Sequence, residues 1–257
     1  MRCDYHTHTT YSDGSFLSWM VSAAERARLD AIGITDHCTI SAREGPRRQR
    51  ANMGFNLDVT YERRRSAIEA MRERRDIEIH DGVEMDFHPD DSGEIAAFLD
   101  EVGFDYAIGS VHELDGTNVH SEDHFAEQSA AARRSHVATY FDRLVTLVES
   151  ELFDVAAHID LVERNSALRG LATDEQYRRV AEAFADSRTV PELNAGRVRS
   201  EYGEVHPTPQ FTEILLEEGI EFVLGTDSHE PKEIEPRKAE LETFTATHDV
   251  ETTTLSL

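Results

Sequence analysis

Seven short apolar runs rich in β-formers alternate along this chain with longer segments of helical period, and most runs end in histidine, aspartate or glutamate. The runs lie near residues 2–7, 31–35, 77–84, 105–111, 154–158, 190–194 and 221–226. Helical periodicity marks 17–29, 58–75, 92–101, 132–150, 174–186 and 208–218, with a weaker segment after Pro231. Alternation repeated this often predicts a parallel sheet flanked by helices. An open doubly wound sheet would spread its polar strand ends along one edge, whereas a barrel gathers them at one mouth. The expected fold is therefore α/β, a closed or nearly closed barrel. No linker or repeat divides the 257 residues, so a single domain over 1–257 is expected, with the Thr-rich tail after about 243 peripheral.

The first run ends in Asp4-Tyr5-His6-Thr7-His8. Residues two apart on an extended strand share a face, so Asp4, His6 and His8 point the same way. Two imidazoles at that spacing can chelate one metal, and Asp4 is a candidate to fix one of the rings. The same residue types recur in Thr35-Asp36-His37, Gly82-Val83-Glu84-Met85-Asp86 and Gly109-Ser110-Val111-His112. They return in Ala157-His158-Ile159-Asp160 and in Gly225-Thr226-Asp227-Ser228-His229. One such residue at a strand end is commonly structural; six sites on six strands predict a shared metal centre. Donors restricted to nitrogen and oxygen suit Zn, Mn or Fe(II) and not a thiolate site. Cys3 faces away from His6 by strand alternation, and Cys38 is a neighbour of the ligands. Two cysteines also exclude a disulfide framework.

The remaining histidines, His80, His88, His120, His124, His136, His206 and His248, lack this setting and read as ordinary, with His206 also a candidate for substrate contact. Residues 39–57 form a basic island and residues 113–130 a polar stretch; both are expected to hang over the mouth as loops. No Walker loop, dinucleotide fingerprint, HExxH or nucleophile elbow is present. A formal charge of −25 disfavours stable binding of nucleic acid. Only Lys232 and Lys238 are lysines, and acid excess with so little lysine suggests a halophilic protein working in concentrated salt. No apolar run approaches a membrane span and no leader is evident, so a cytoplasmic protein is expected.

The ordered blocks DYHTHTTYSDGS at 4–15, TDH at 35–37, GVEMD at 82–86, GSVH at 109–112, AHID at 157–160 and GTDSH at 225–229 resemble the PHP (polymerase and histidinol phosphatase) family of metal-dependent phosphoesterases. Within it the chain looks most like stand-alone histidinol-phosphate phosphatases, which share a Glu192-Leu193-Asn194 type of strand end followed by arginines. The resemblance implies a distorted (β/α)7 TIM-like barrel and a trinuclear centre. The first ion would take His6, His8, Glu84 and Asp227; the second Glu84, His112 and His158; the third Asp13, His37 and His229. Asp13 by itself would read as a turn residue before a helix.

Three divalent cations, three carboxylates and a hydroxide leave a charge that a monoester of roughly −1.5 to −2 balances better than a diester. The expected reaction is attack of metal-bound hydroxide on phosphorus, in line with the leaving alkoxide. Asp227 is a candidate proton carrier beside Glu84 in the reacting centre. Arg164 and Arg197 are candidate phosphate clamps, because guanidinium binds phosphate bidentately. The rivals are an amidohydrolase-type metal hydrolase, a PHP phosphoesterase acting on nucleotides or oligonucleotides, and a non-enzymatic metal-binding module.

Overall fold

The computed structural model describes residues 1–257. In chain order its elements begin with β1 (Cys3–Asp4), α1 (Leu17–Arg26), β2 (Ala31–Ile34), β3 (His37–Cys38), α2 (Glu44–Met53), α3 (Tyr61–Arg72), β4 (Glu78–Asp86) and α4 (Ser92–Val102). Then come β5 (Tyr106–Ser110), the hairpin β6 (Glu113–Leu114) and β7 (Thr117–Asn118), α5 (Glu122–Ala126) and α6 (Ala130–Glu149). The rest is β8 (Val155–Ala156), α7 (Asp174–Ala185), β9 (Val190–Asn194), α8 (Pro209–Glu217), β10 (Val223–Gly225) and α9 (Pro231–His248).

The strands lie side by side in the order β1-β2-β4-β5-β8-β9-β10, all parallel, while β3 pairs with the upper half of β4. Parallel neighbours need crossovers, and the helices between the strands supply them. The seam between first and last strands is stitched by Tyr5 N–H to the Leu224 carbonyl (3.0 Å), Asp227 N–H to His6 (2.8 Å) and His8 N–H to Ser228 (2.9 Å). These bonds bring the sheet round to a nearly closed seven-stranded barrel, as expected from the polar strand ends.

Helix α7 shows how the local code works. Thr173 caps it, Gln176 completes a capping box, and Tyr177, Val180, Ala181 and Phe184 form the buried stripe at helical spacing. Inside the barrel floor, Tyr5, Tyr106, Ile108, Val155, Ala157 and Val223 pack together. Tyr106 lies across Gly33 and Gly82, where any side chain would collide with its ring.

The mouth departs from expectation. The basic stretch 39–57 is not simply a loop: it contains α2, with Pro46 tolerated in its first turn. It has almost no apolar face, and polar bonds hold it: Arg43 pairs with Asp91 (2.8 Å), and Arg50 donates to the carbonyls of Thr39 (2.6 Å) and Ser41 (3.2 Å). The 113–130 stretch likewise folds into the β6–β7 hairpin and α5. Residues beyond 243 do not trail away. Helix α9 runs on to His248, Phe244 packs on the main core, and Leu255 meets the barrel floor. No helix is long and apolar enough to cross a membrane.

Glu163, in the turn after β8, is buried with Oε1 lacking a hydrogen-bond partner, while Oε2 accepts from Gly170 N–H (2.8 Å). Burial pushes its carboxyl up to about 7, against the Gly170 bond. The folded state thus resists ionisation, at no cost below the ordinary carboxylate range and at full cost above about 7. Glu163→Gln should raise stability by on the order of 2 kcal/mol at about pH 8 and leave it unchanged near about pH 4. Urea unfolding at the two pH values checks this.

Candidate metal centre

Glu84, on β4, is the hub. Its Oε2 lies 2.8 Å from His37 Nδ1, 3.3 Å from His6 Nε2 and 3.5 Å from His8 Nε2. Its Oε1 lies 3.0 Å from His158 Nε2 and 3.4 Å from His112 Nε2, and accepts from Ser110 Oγ (2.5 Å). One buried carboxylate therefore faces five imidazoles from the ends of four strands.

The expected ligands converge in overlapping groups: His6, His8 and Asp227; His37, Glu84 and His112; and His8, Asp13, His37 and His229. Within each, the ligand atoms lie within 4.8 Å of one another. His158 joins through Glu84, its ring centroid 5.0 Å from that of His112. Asp13 reaches His229 Nε2 at 3.3 Å and His37 Nε2 at 3.7 Å, so the turn residue does enter the site. His158 and Asp227 have φ values of 35° and 51°, in the left-handed region. Non-glycine residues held in such sparsely populated conformations cost roughly 1–3 kcal/mol each and cluster at functional sites.

The donor set fits divalent cations. His6 Nε2 and His8 Nε2 face each other at 3.1 Å, and the buried Glu84 Oε2 has imidazole nitrogens of His37, His6 and His8 within 3.5 Å and no well-aligned hydrogen bond. Nitrogen and oxygen donors crowded in this way can be shared by a cation in place of protons. Burial opposes ionisation of Glu84 and Asp227, yet the surrounding imidazoles hold both well below the ordinary carboxylate range. Burial, reinforced at His8 by neighbouring imidazoles, lowers His8 and His158 to about 4, which leaves them neutral and able to ligate. His6, His37 and His229 differ: burial works against their protonation, but Glu192 and Glu84 lift His6 well above the ordinary imidazole range, Glu84 lifts His37 to about 10, and Asp13 and Asp227 raise His229. Cations would displace those protons.

Several supporting groups were not read from the sequence. His6 is oriented by Glu192, which takes its Nδ1 at 2.8 Å. Asp4, expected in that role, instead anchors the backbone: it accepts from Thr226 N–H (2.9 Å), Thr226 Oγ1 (2.6 Å) and His6 N–H (3.3 Å). Gly225 leaves the space for this, since a Cβ there would lie 1.8 Å from Glu192 Oε1. His112 Nδ1 meets Asp86 at 2.6 Å. Asp36 ties down the turn before Asp13, accepting from Thr9 N–H (2.7 Å) and Ser12 Oγ (2.8 Å), and the buried Arg64 neutralises it at 3.2 Å. Such partners fix imidazole orientation and raise ligand basicity. The only signal available was an acid two residues before an inward polar residue, as Glu192 precedes Asn194.

The centre lies at the base of a cleft of about 410 Å³. Arg164 and Arg197 line it; the Arg164 Nη2 sits 3.3 Å from Asn194 Oδ1 and 3.4 Å from Asp227 Oδ2. Gln49, Met53 and Phe55, from α2 and its exit, line it too, as do Asn118 and His120. His120 was read as ordinary but borders the cleft. His206, read as a candidate for substrate contact, is wholly buried behind Arg164 and cannot touch a ligand.

Comparison with known proteins agrees with this architecture. The PHP domain family matches residues 4–196. A protein named "Probable histidinol-phosphatase" from Deinococcus radiodurans is 28% identical over 240 residues, covering 90% of this chain and 88% of that one. One of the same name from Clostridium acetobutylicum is 22% identical, covering 88% and 86%. The crystal structure of histidinol phosphate phosphatase from Lactococcus lactis, complexed with zinc, L-histidinol and phosphate, superposes with a TM-score of 0.77 at 22% identity, covering 99% of this chain and 97% of that one. A strand order closed at the β1–β10 seam, ligands at its mouth and this family match together establish that the chain belongs to the PHP domain family.

Proposed function

We propose that this enzyme is a metal-dependent phosphatase of small phosphate monoesters, with L-histidinol phosphate as its substrate. The chain is a phosphoric monoester hydrolase of the histidinol-phosphatase type. The observation that carries the reading is the convergence of imidazoles and carboxylates on Glu84 beneath two cleft-lining arginines. His6, His8, Glu84 and Asp227 would hold one ion, Glu84, His112 and His158 a second, and Asp13, His37 and His229 a third. Divalent ions in such a site lower the pKa of water and neutralise phosphoryl oxygens.

The chain's own groups do the rest. Glu192 and Asp86 hold His6 and His112 by Nδ1, which leaves each Nε2 toward the centre. Arg164 and Arg197, which line the same cleft, bind phosphate oxygens. Asp227, between Arg164 and His8, is the group placed to manage a proton of the leaving group. Gln49, Met53 and Phe55, which line the cleft, receive the leaving group. The acidic, lysine-poor composition suits a cytoplasmic protein in concentrated salt.

The test is phosphate release from histidinol phosphate, nucleotide monophosphates and short single strands after reconstitution with Zn, Mn or Fe(II), in dilute buffer and molar KCl. Histidinol phosphate should be preferred in kcat/KM by about tenfold or more over other monoesters. A nucleotide or strand turned over better would transfer the assignment to the rival phosphoesterase reading.

A further inference from the structure

Behind the arginines lies a buried polar chain that the proposed reaction does not itself use. His206 is fully buried. Its backbone is clipped to the end of β9 in both directions, by Asn194 N–H to the His206 carbonyl (2.8 Å) and His206 N–H to the Asn194 carbonyl (2.9 Å). Its ring has two edges and both are engaged. Nε2 accepts from Arg164 Nε at 2.8 Å, and Nδ1 meets Asp160 Oδ1 at 2.5 Å. Arginine is always a donor, so Nε2 carries no proton. The hydrogen is therefore on Nδ1 and Asp160 accepts it, while Asp160 Oδ2 is itself held by Thr208 N–H (2.6 Å). The tautomer is fixed, and with it the roll of the Arg164 guanidinium about its Nε–H.

The face of the ring is engaged as well. Tyr202 stacks on it, centroids 4.6 Å apart and planes within 7°. Tyr202 belongs to the loop that carries Arg197, and that loop closes on itself through Gly203 N–H to the Arg197 carbonyl (3.4 Å). The Arg169 guanidinium covers Tyr202, 5.0 Å from its centroid.

We propose that His206 is a positioning residue that sets both arginines of the phosphate site, Arg164 through its ring edge and the Arg197 loop through its ring face. The inference rests on the reading of Arg164 and Arg197 as phosphate ligands. Asp160 and Tyr202 are its working parts: one fixes the tautomer, the other transmits the ring position to the loop. Neither touches substrate.

The experiment measures competitive inhibition by inorganic phosphate, KM and kcat for a monoester, bound metal and melting temperature in reconstituted full-length variants. His206→Leu should weaken phosphate inhibition and raise KM by about tenfold or more, with a smaller change in kcat and unchanged metal content. His206→Gln, whose amide oxygen accepts from Arg164 while its nitrogen donates to Asp160, should recover most of the loss. Tyr202→Leu should act through Arg197 alone, so adding it to Arg197→Gln changes phosphate inhibition no further, whereas Tyr202→Phe behaves as wild type. If His206→Leu does not fold, the Tyr202 pair decides.

Phosphate inhibition within twofold of wild type in metal-replete His206→Leu, or a glutamine variant as impaired as the leucine one, overturns the positioning role. Additive effects of Tyr202→Leu and Arg197→Gln overturn the loop half of it. Arg164→Gln separates the two levels of the argument. If it weakens phosphate inhibition while His206→Leu does not, only the positioning role falls; if Arg164→Gln itself has no effect, the phosphate-ligand reading falls and takes the positioning role with it.

Discussion

Glu84→Gln is expected to lower kcat/KM by on the order of 10³ or more and to reduce the number of bound metal ions. The substitution keeps shape and removes one negative charge, so it isolates the electrostatic role. In the folded protein this carboxylate faces five imidazoles, with His37, His6 and His158 within 3.3 Å. No other acid replaces it: Asp227 faces His6 and His8, and Asp13 faces His37 and His229. A neutral amide would also turn an N–H toward at least one cation site. Ser110→Ala, which removes only a hydrogen bond to Oε1, is the graded control and should cost about 10–100-fold. Steady-state kinetics with elemental analysis of the same samples measures both effects. A Glu84→Gln enzyme with full activity and full metal content would remove Glu84 from the centre.

Stripping the ions with a chelator should abolish activity and lower the melting temperature by roughly 5–10 °C for each site emptied, relative to protein in free metal at a hundred times the dissociation constant. The size follows from mass action, since ions bind the assembled site and scarcely the unfolded chain. The number restored at full activity separates two enzyme readings: about three per chain supports the phosphatase, one or two an amidohydrolase-type centre. A stability loss reversed by metal, with no phosphatase activity in any refilled form, would favour the non-enzymatic module.

The barrel and the inward-facing candidate ligands were legible because both rest on short-range rules. Strand alternation makes His6 and His8 neighbours on one face, and repetition of imidazole and carboxylate at successive strand ends marks one shared mouth. Helix α2 was not legible: its residues have no apolar period, and ion pairs such as Arg43 with Asp91, far apart in sequence, hold it. The carboxylates behind the ligands escaped for a related reason. Glu192 contacts His6 across 186 positions, and only the bare backbone at Gly225 lets it approach. Asp4 looked like the obvious ring partner because it is close in sequence, yet its bonds go to backbone and Thr226. Distance along the chain misled where the tertiary fold decides.

The seam between β1 and β10 has a consequence for how the enzyme is made. His6 and His8 leave the ribosome well before Asp227 and His229, with which they share candidate ligand groups and which are synthesised more than two hundred residues later. A nascent chain therefore carries the His6–His8 pair long before Asp227 and His229, which complete the pocket, exist. Ring closure over so long a loop adds little extra entropic penalty, because that penalty grows only logarithmically with length. On the proposed ligand assignment, loading of the full complement is then a late event, coincident with the joining of the two ends of the sheet.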